Sequence, residues 1–295
     1  MTLVVFLIAY FVRRRLDNVN AVSGDVLWRR WFHKGGVAKA GRESGIVTGL
    51  VLVALPALLA ALCVYGLSLY GWRIAAYPLE ILVLVLMMGT PGWRSCVQLY
   101  GDAWQKGDMQ AAWHHIQDRL PASERGAATS PEIMHLSLTR ALAVAVFQRF
   151  FLVAFWYVVG GIGLAIFARG LVALAEQWPQ AAARPRYLKA CEWASWIPVR
   201  LLSVTFGIAG DLSGWLGEAR AVMTGITKKT SEVLMVSANG SLTGYALDPG
   251  RFSQVHPDEW ASFGGRSLSA VRGLLNRSML AWICALALLV IAGVV

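Results

Sequence analysis

Two charged side chains stand inside otherwise apolar runs, and any chemistry in this chain would begin with them. Arg200 is the lone charge in WASWIPVRLLSVTFGIAG, residues 193–210, two residues after Pro198. Glu80 stands in the apolar stretch 74–90, close to Pro78. Ionised groups are costly in hydrocarbon, so both are expected to face protein or water, where such groups mark binding sites or ion pairs. An arginine so placed offers charge-assisted donors to an anion. The alternative is that 193–210 lies along the interface and Arg200 snorkels to the headgroups. If both segments run in the same direction, Glu80 and Arg200 lie at a matched depth of about 10 Å. They then form a candidate intramembrane pair. The competing partner for Glu80 is Arg73, two helical turns earlier.

Other constellations are missing. TGITKKTS at 224–231 has the Lys and Thr of a phosphate-binding loop but lacks the glycine before the lysine and a preceding strand. His114 and His115 are adjacent and point apart on a helix, unlike a metal pair at i, i+4. No GxSxG elbow, HExxH or dinucleotide fingerprint is present. Cys63, Cys96, Cys191 and Cys284 are widely separated, so neither a disulfide framework nor a thiolate metal site is expected. The residues alone offer no catalytic group, no metal site and no cofactor.

The elements that must carry these residues follow from composition. Hydrophobic residues make up 57% of the chain and charged ones 15%, with a mean hydropathy of +0.54. A soluble domain has roughly 25% charged residues, so this is an integral membrane protein. The net charge of +10 arises from Lys and Arg between apolar runs, the pattern of the positive-inside rule rather than of nucleic-acid binding. Residues 1–12 are followed, not preceded, by Arg13-Arg14-Arg15, unlike a cleavable signal peptide.

The chain reads as all-α and polytopic, with five or six membrane segments at about 2–12, 45–70, 74–90, 150–168, 193–210 and 278–295. Amphipathic helices lie in cytoplasmic parts 13–44, 92–149 and 211–277. The first segment, at about 16 Å, is too short to cross a core of about 30 Å alone. VLWRRWF in the basic stretch alternates bulky apolar residues with arginines, as a helix lying on the inner leaflet does. Gly45 and Gly49 form a GxxxG pair, and Gly160, Gly161 and Gly163 a small face, each suited to close helix packing. GDAWQKGDMQAAWHHIQDRLP predicts two helical pieces broken at Gly107-Asp108, with Asp108 capping the second. Ser130-Pro131-Glu132 predicts the next helix start.

Lys and Arg number eight in 13–44, one at 73, six in 92–149, four in 169–192 and seven in 211–277. If 193–210 crosses, the loops divide twenty-one inside against five outside; otherwise, with Arg200 counted outside, the division is fourteen against thirteen. The rule favours a crossing.

WIPVRL, the MTLVVFLIAYFV start, WQKGDMQAAWHHI, the FxxxFW opening of 150–168 and the apolar tail after LNRSMLAW, in this order, resemble the AmpE family of bacterial inner-membrane proteins. WIPVRL is also similar to the CbiB/CobD amide synthases of cobalamin synthesis. The AmpE resemblance covers nearly the whole chain. It implies a multi-pass, non-enzymatic protein of the inner membrane that modulates β-lactamase induction and senses or binds a cell-wall-derived ligand. Arg200, Glu192 and Asn239 keep family positions, which implies either a structural or a ligand-binding role for each. The implied partners are the lipid bilayer, that ligand, and a second copy or another membrane protein.

The synthase pattern departs at several places. Its acidic ESLAEN…VDG stretch is replaced by SLTRALAVAVFQRF, its NTLDxM by RGLVALAE, and its NAGWP by Asn239-Gly240-Ser241, which keeps the Asn and loses Gly-Trp-Pro. Ligation driven by ATP needs carboxylates for metal and phosphate, so the synthase is the second reading. A small-solute or muropeptide transporter is the third, supported by Glu80 and Arg200 and opposed by the absence of inverted repeats and of broken helices in matched positions.

Overall fold

The computed structural model describes residues 2–18, 24–35, 46–121, 124–125, 130–225, 227–242 and 246–293. Among these there is no strand, and helices follow one another with short connections. In order they are α1 (Thr2–Asn18), α2 (Gly24–Gly35), α3 (Ile46–Leu69), α4 (Arg73–Met87), α5 (Trp93–Gln105), α6 (Met109–Ile116) and α7 (Pro131–Val146). A π-turn (Phe147–Phe151) leads to α8 (Leu152–Gln177), α9 (Arg184–Ala209), α10 (Leu212–Thr224), α11 (Thr230–Ser241), α12 (Pro249–Val255) and α13 (Trp260–Ile291).

Three helical runs are long and apolar enough to cross a membrane: Ile46–Leu69, Pro131–Gln177 and Pro257–Ile291. The stretch 74–90 falls in α4, whose 15 residues extend about 22 Å. The stretch 193–210 is the second half of α9, which is not among the three. Gly45 lies outside the described residues.

The chain forms two compact units: Met1–Pro91, Phe147–Pro198 and Ile283–Val295 make the first, and Gly92–Val146 with Val199–Trp282 the second.

In the first unit α3 and α4 form an antiparallel hairpin. Its outward α3 face is Leu58, Leu62 and Leu69, all exposed. Inward, Gly163 and Gly170 of α8 sit so close to Ala57, Ala61 and Val53 that a Cβ would clash at either. The earlier half of α8 runs along α1 and α4: Tyr157 donates to Glu80 at 2.7 Å and stacks on Phe6. The helix α2 docks on α8 through buried Trp28 and Phe32, with Phe32 against Trp178. The surface helix expected from VLWRRWF thus presents two of its aromatics to protein.

The glycines expected as a packing face in 150–168 do something else. Gly160 and Gly161 leave helical geometry, with φ 67° at Gly161, a conformation open to glycine and strained for other residues. On either side the chain runs in opposite directions. Arg149 lies by the Gly89 carbonyl at the end of α4, Tyr157 by Glu80, Gly163 by Ala57 and Ala61, and Gly170 by Val53. Residues 150–168 therefore rise and return instead of forming one straight helix.

The second unit packs α5 to α7, the end of α9, α10 to α12 and the first part of α13. As the sequence predicts, the chain breaks at Gly107, and Asp108 Oδ1 caps α6 by accepting from Ala111 N at 2.9 Å. Ala112 and Ile116 are fully buried, and Ser130 Oγ accepts from Ile133 N at the start of α7.

Candidate functional site

The second unit contains a cavity of about 540 Å³, within the size range of ligand pockets. Its polar lining comes from the ends of α10 and α11 and from one face of α13. Asp211, Ser241, Arg266, Ser267 and Arg277 face it, with Phe252 and Phe263 among the apolar walls.

Local sequence explains how these groups are held. Asp211 caps α10, its Oδ1 accepting from Ser213 N at 2.9 Å, while its own N–H donates to the Ser241 carbonyl at 2.9 Å. This cross-tie works because α10 and α11 touch backbone to backbone. A Cβ on Gly214 would stand 2.3 Å from the Gly240 oxygen, so only glycine permits the approach. Ser241 is therefore fixed at the cavity wall. Its Oγ is buried and makes no hydrogen bond among the described residues.

Ser267 reaches the cavity at the end of a buried chain. Its Oγ is 2.9 Å from His135 Nε2, and His135 Nδ1 is 3.2 Å from the Tyr100 hydroxyl. Aromatic rings of Trp104 and Phe263 enclose His135. Burial pushes the Tyr100 phenol well above its ordinary range, so it stays neutral and holds the imidazole in place. Arg266 pairs with Glu259, and Arg277 is exposed on the same face. Two guanidiniums, two serine hydroxyls and one carboxylate suit an anion that also carries hydroxyl or amide groups.

Arg200 and Asn239 belong to this unit but do not line the cavity. Arg200 is buried and donates to the Gly225 carbonyl at 2.8 Å, tying α9 to the end of α10. Near it the Ser203 hydroxyl lies 2.7 Å from Ser237 Oγ and accepts from Trp215 Nε1 at 3.0 Å. The Asn239 Oδ1 is buried without a hydrogen bond among the described residues. Glu192 and Glu80 belong to the first unit, the former half-buried on α9. Glu80 takes its hydrogen bond from Tyr157.

The first unit holds a set of charges that sequence reading treated as loop residues. Asp25 accepts from Arg149 at 2.7 Å and also pairs with Arg169, which is 2% exposed. Beside them Arg13, 3% exposed, bonds Asp17 and the Val85 carbonyl, while Asp17 accepts from Thr90 N. No spacing rule links Asp25 to Arg149 and Arg169, so the sequence carried no signal for this cluster. Among the described residues no group of His, Cys, Asp and Glu is arranged to hold a metal ion.

No protein-family model, curated protein or solved structure matches the chain.

Proposed function

We propose that this chain is a multi-pass protein of the bacterial inner membrane that binds a small anionic ligand in the second-unit cavity. On this reading it modulates β-lactamase induction in the manner of the AmpE family, reporting a cell-wall-derived ligand without transforming it. The observation that carries the reading is the buried, unpartnered Ser241 hydroxyl on a cavity wall that also bears Arg266 and Arg277. A buried hydroxyl without a partner costs stability, and a ligand oxygen would satisfy it. The resemblance of WIPVRL and its neighbouring segments supplies the class of ligand.

The topology proposed with it keeps membrane segments at 2–12, 45–70, 74–90, 150–168, 193–210 and 278–295, but two of them do not cross: 150–168 re-enters, and 193–210 lies along the interface. Since Arg149 and Arg169 share Asp25, the stretch 150–168 enters and leaves on one side, and 169–192 joins the cytoplasmic parts. With 193–210 lying along the interface, every Lys and Arg except Arg73 falls on that side. That is a stronger positive-inside bias than the crossing arrangement gives.

The test is titration of the full-length protein in nanodiscs with a labelled muropeptide bearing free carboxylates. Wild type is expected to bind, and the Ser241→Ala, Arg277→Gln double variant to bind at least tenfold more weakly with unchanged circular dichroism. Equal binding by the two would contradict the reading.

A second reading, a small-solute transporter, is favoured by the helix break at Gly160–Gly161 beside Glu80. Broken helices near an ionisable group are how transporters build sites within the membrane.

A further inference from the structure

We propose that the first unit binds a small zwitterion, an ammonium joined to a phosphate or carboxylate, at the Gly160–Gly161 tip of α8. The inference is independent of the second-unit cavity and gives the transporter reading its ligand class. A cavity of about 510 Å³ lies at this tip, lined by Tyr65, Arg73, Tyr77, Glu80, Gly160 and Gly161. Non-helical backbone at membrane depth is tolerated where it lines a cavity, since its peptide groups need partners.

The charges define the ligand. Glu80 is held by one oxygen, Oε2, which accepts from the Tyr157 hydroxyl at 2.7 Å. The second oxygen is left for a cation, and Tyr65 and Tyr77 line the same cavity, where aromatic rings can stabilise an ammonium. Arg73 lines the same cavity from one end of α4, and its guanidinium suits an anionic oxygen group. Glu80 and Arg73 are seven residues apart on one helix, a rise of about 10 Å between their backbones. A ligand that touches both therefore carries its ammonium and its anionic group on a linker, as a phosphoethanolamine group does, whether a lipid headgroup or the free compound.

Glu80 is half-buried, so an anion alone would leave it uncompensated, whereas Arg73 stands exposed at the outer end of α4. One zwitterion engages both.

The experiment uses the full chain in nanodiscs. Native mass spectrometry in mixed phosphatidylethanolamine and phosphatidylglycerol follows retained lipid. Thermal unfolding in phosphatidylglycerol alone follows added O-phosphoethanolamine, with ethylamine and inorganic phosphate as half-probes. Retained phosphatidylethanolamine assigns the lipid headgroup. A midpoint that rises with O-phosphoethanolamine, and at least tenfold less sensitively with either half-probe, assigns the free compound. In both arms Glu80→Gln, which keeps an acceptor for Tyr157, and Arg73→Gln are expected to reduce the effect at least tenfold. Their unliganded midpoints should match wild type. No response in either arm, or responses unchanged in both variants, would overturn the proposal.

Discussion

Arg149 and Arg169 meet at one carboxylate, that of Asp25, although twenty residues separate them. A straight helix of that length would hold them about 30 Å apart. Two extended arginine side chains and their contacts across one carboxylate bridge at most about 21 Å. The reversal at Gly160–Gly161 removes the difference. A strongly hydrophobic part of the chain is thereby folded back on itself, its two ends held together by a largely buried charge cluster.

The first prediction concerns that cluster. Asp25→Asn leaves Arg149 and Arg169 without their shared counter-ion, and breaking such a buried pair costs about 3–5 kcal/mol. Replacing Asp25 and Arg169 together by Asn and Met should cost less than Asp25→Asn alone. The check is unfolding of each variant in detergent as a double-mutant cycle. Additive losses would mean that the two side chains do not depend on each other.

Sidedness follows from the same geometry. Single cysteines at positions 148 and 180, in a chain with its four native cysteines replaced, should react with a membrane-impermeant maleimide from the same face. In intact spheroplasts neither should label, and after lysis both should. Labelling of position 180 alone in spheroplasts would mean that 150–168 crosses.

Reactivity of Cys96 offers a pH test. Burial pushes this thiol above its ordinary range, and the nearby Arg119 guanidinium offsets only part of the shift. The thiolate is the reacting form, so a raised pKa leaves less of it at pH 8. In a variant retaining Cys96 alone, alkylation at pH 8 should be slower than for a free thiol and should speed up as pH rises past the ordinary thiol range. Stability has the same sign. The unfolded thiol ionises first, so this group's contribution is lost as pH climbs towards the folded value. Alkylation at the free-thiol rate would contradict the burial.

The contact between α10 and α11 can be probed by Gly214→Ala. The added Cβ meets the backbone oxygen of Gly240, which has no rotamer to move away. Forcing the helices apart should cost about 1–3 kcal/mol, as overpacking does, and should weaken muropeptide binding through displacement of Ser241. Calorimetry on the full-length protein reads the first effect and the nanodisc titration the second.

How much of this was legible in the sequence depends on the range of the interactions. The break at Gly107 and the Asp108 cap were readable because a capping aspartate and its helix start are local. The helical class, with runs long and apolar enough to cross a membrane, was readable from composition. The reversal at Gly160–Gly161 was not, because adjacent glycines serve equally as a packing face or as a turn. What decides between them is Asp25, more than a hundred residues away. Likewise Ser241 was visible only as the residue following Asn239-Gly240. Its place on a cavity wall depends on α13, and the His135–Ser267 contact joins residues far apart in sequence.

The second-unit cavity, as proposed, reads a ligand that controls β-lactamase induction. The most direct measurement is induction in a deletion strain restored with wild type or with the Ser241→Ala, Arg277→Gln variant at equal membrane levels, with cobalamin synthesis followed in parallel. The account predicts altered induction on deletion, corrected by wild type and not by the variant, with cobalamin synthesis unchanged. Normal induction after deletion, or a cobalamin defect in its place, would contradict it.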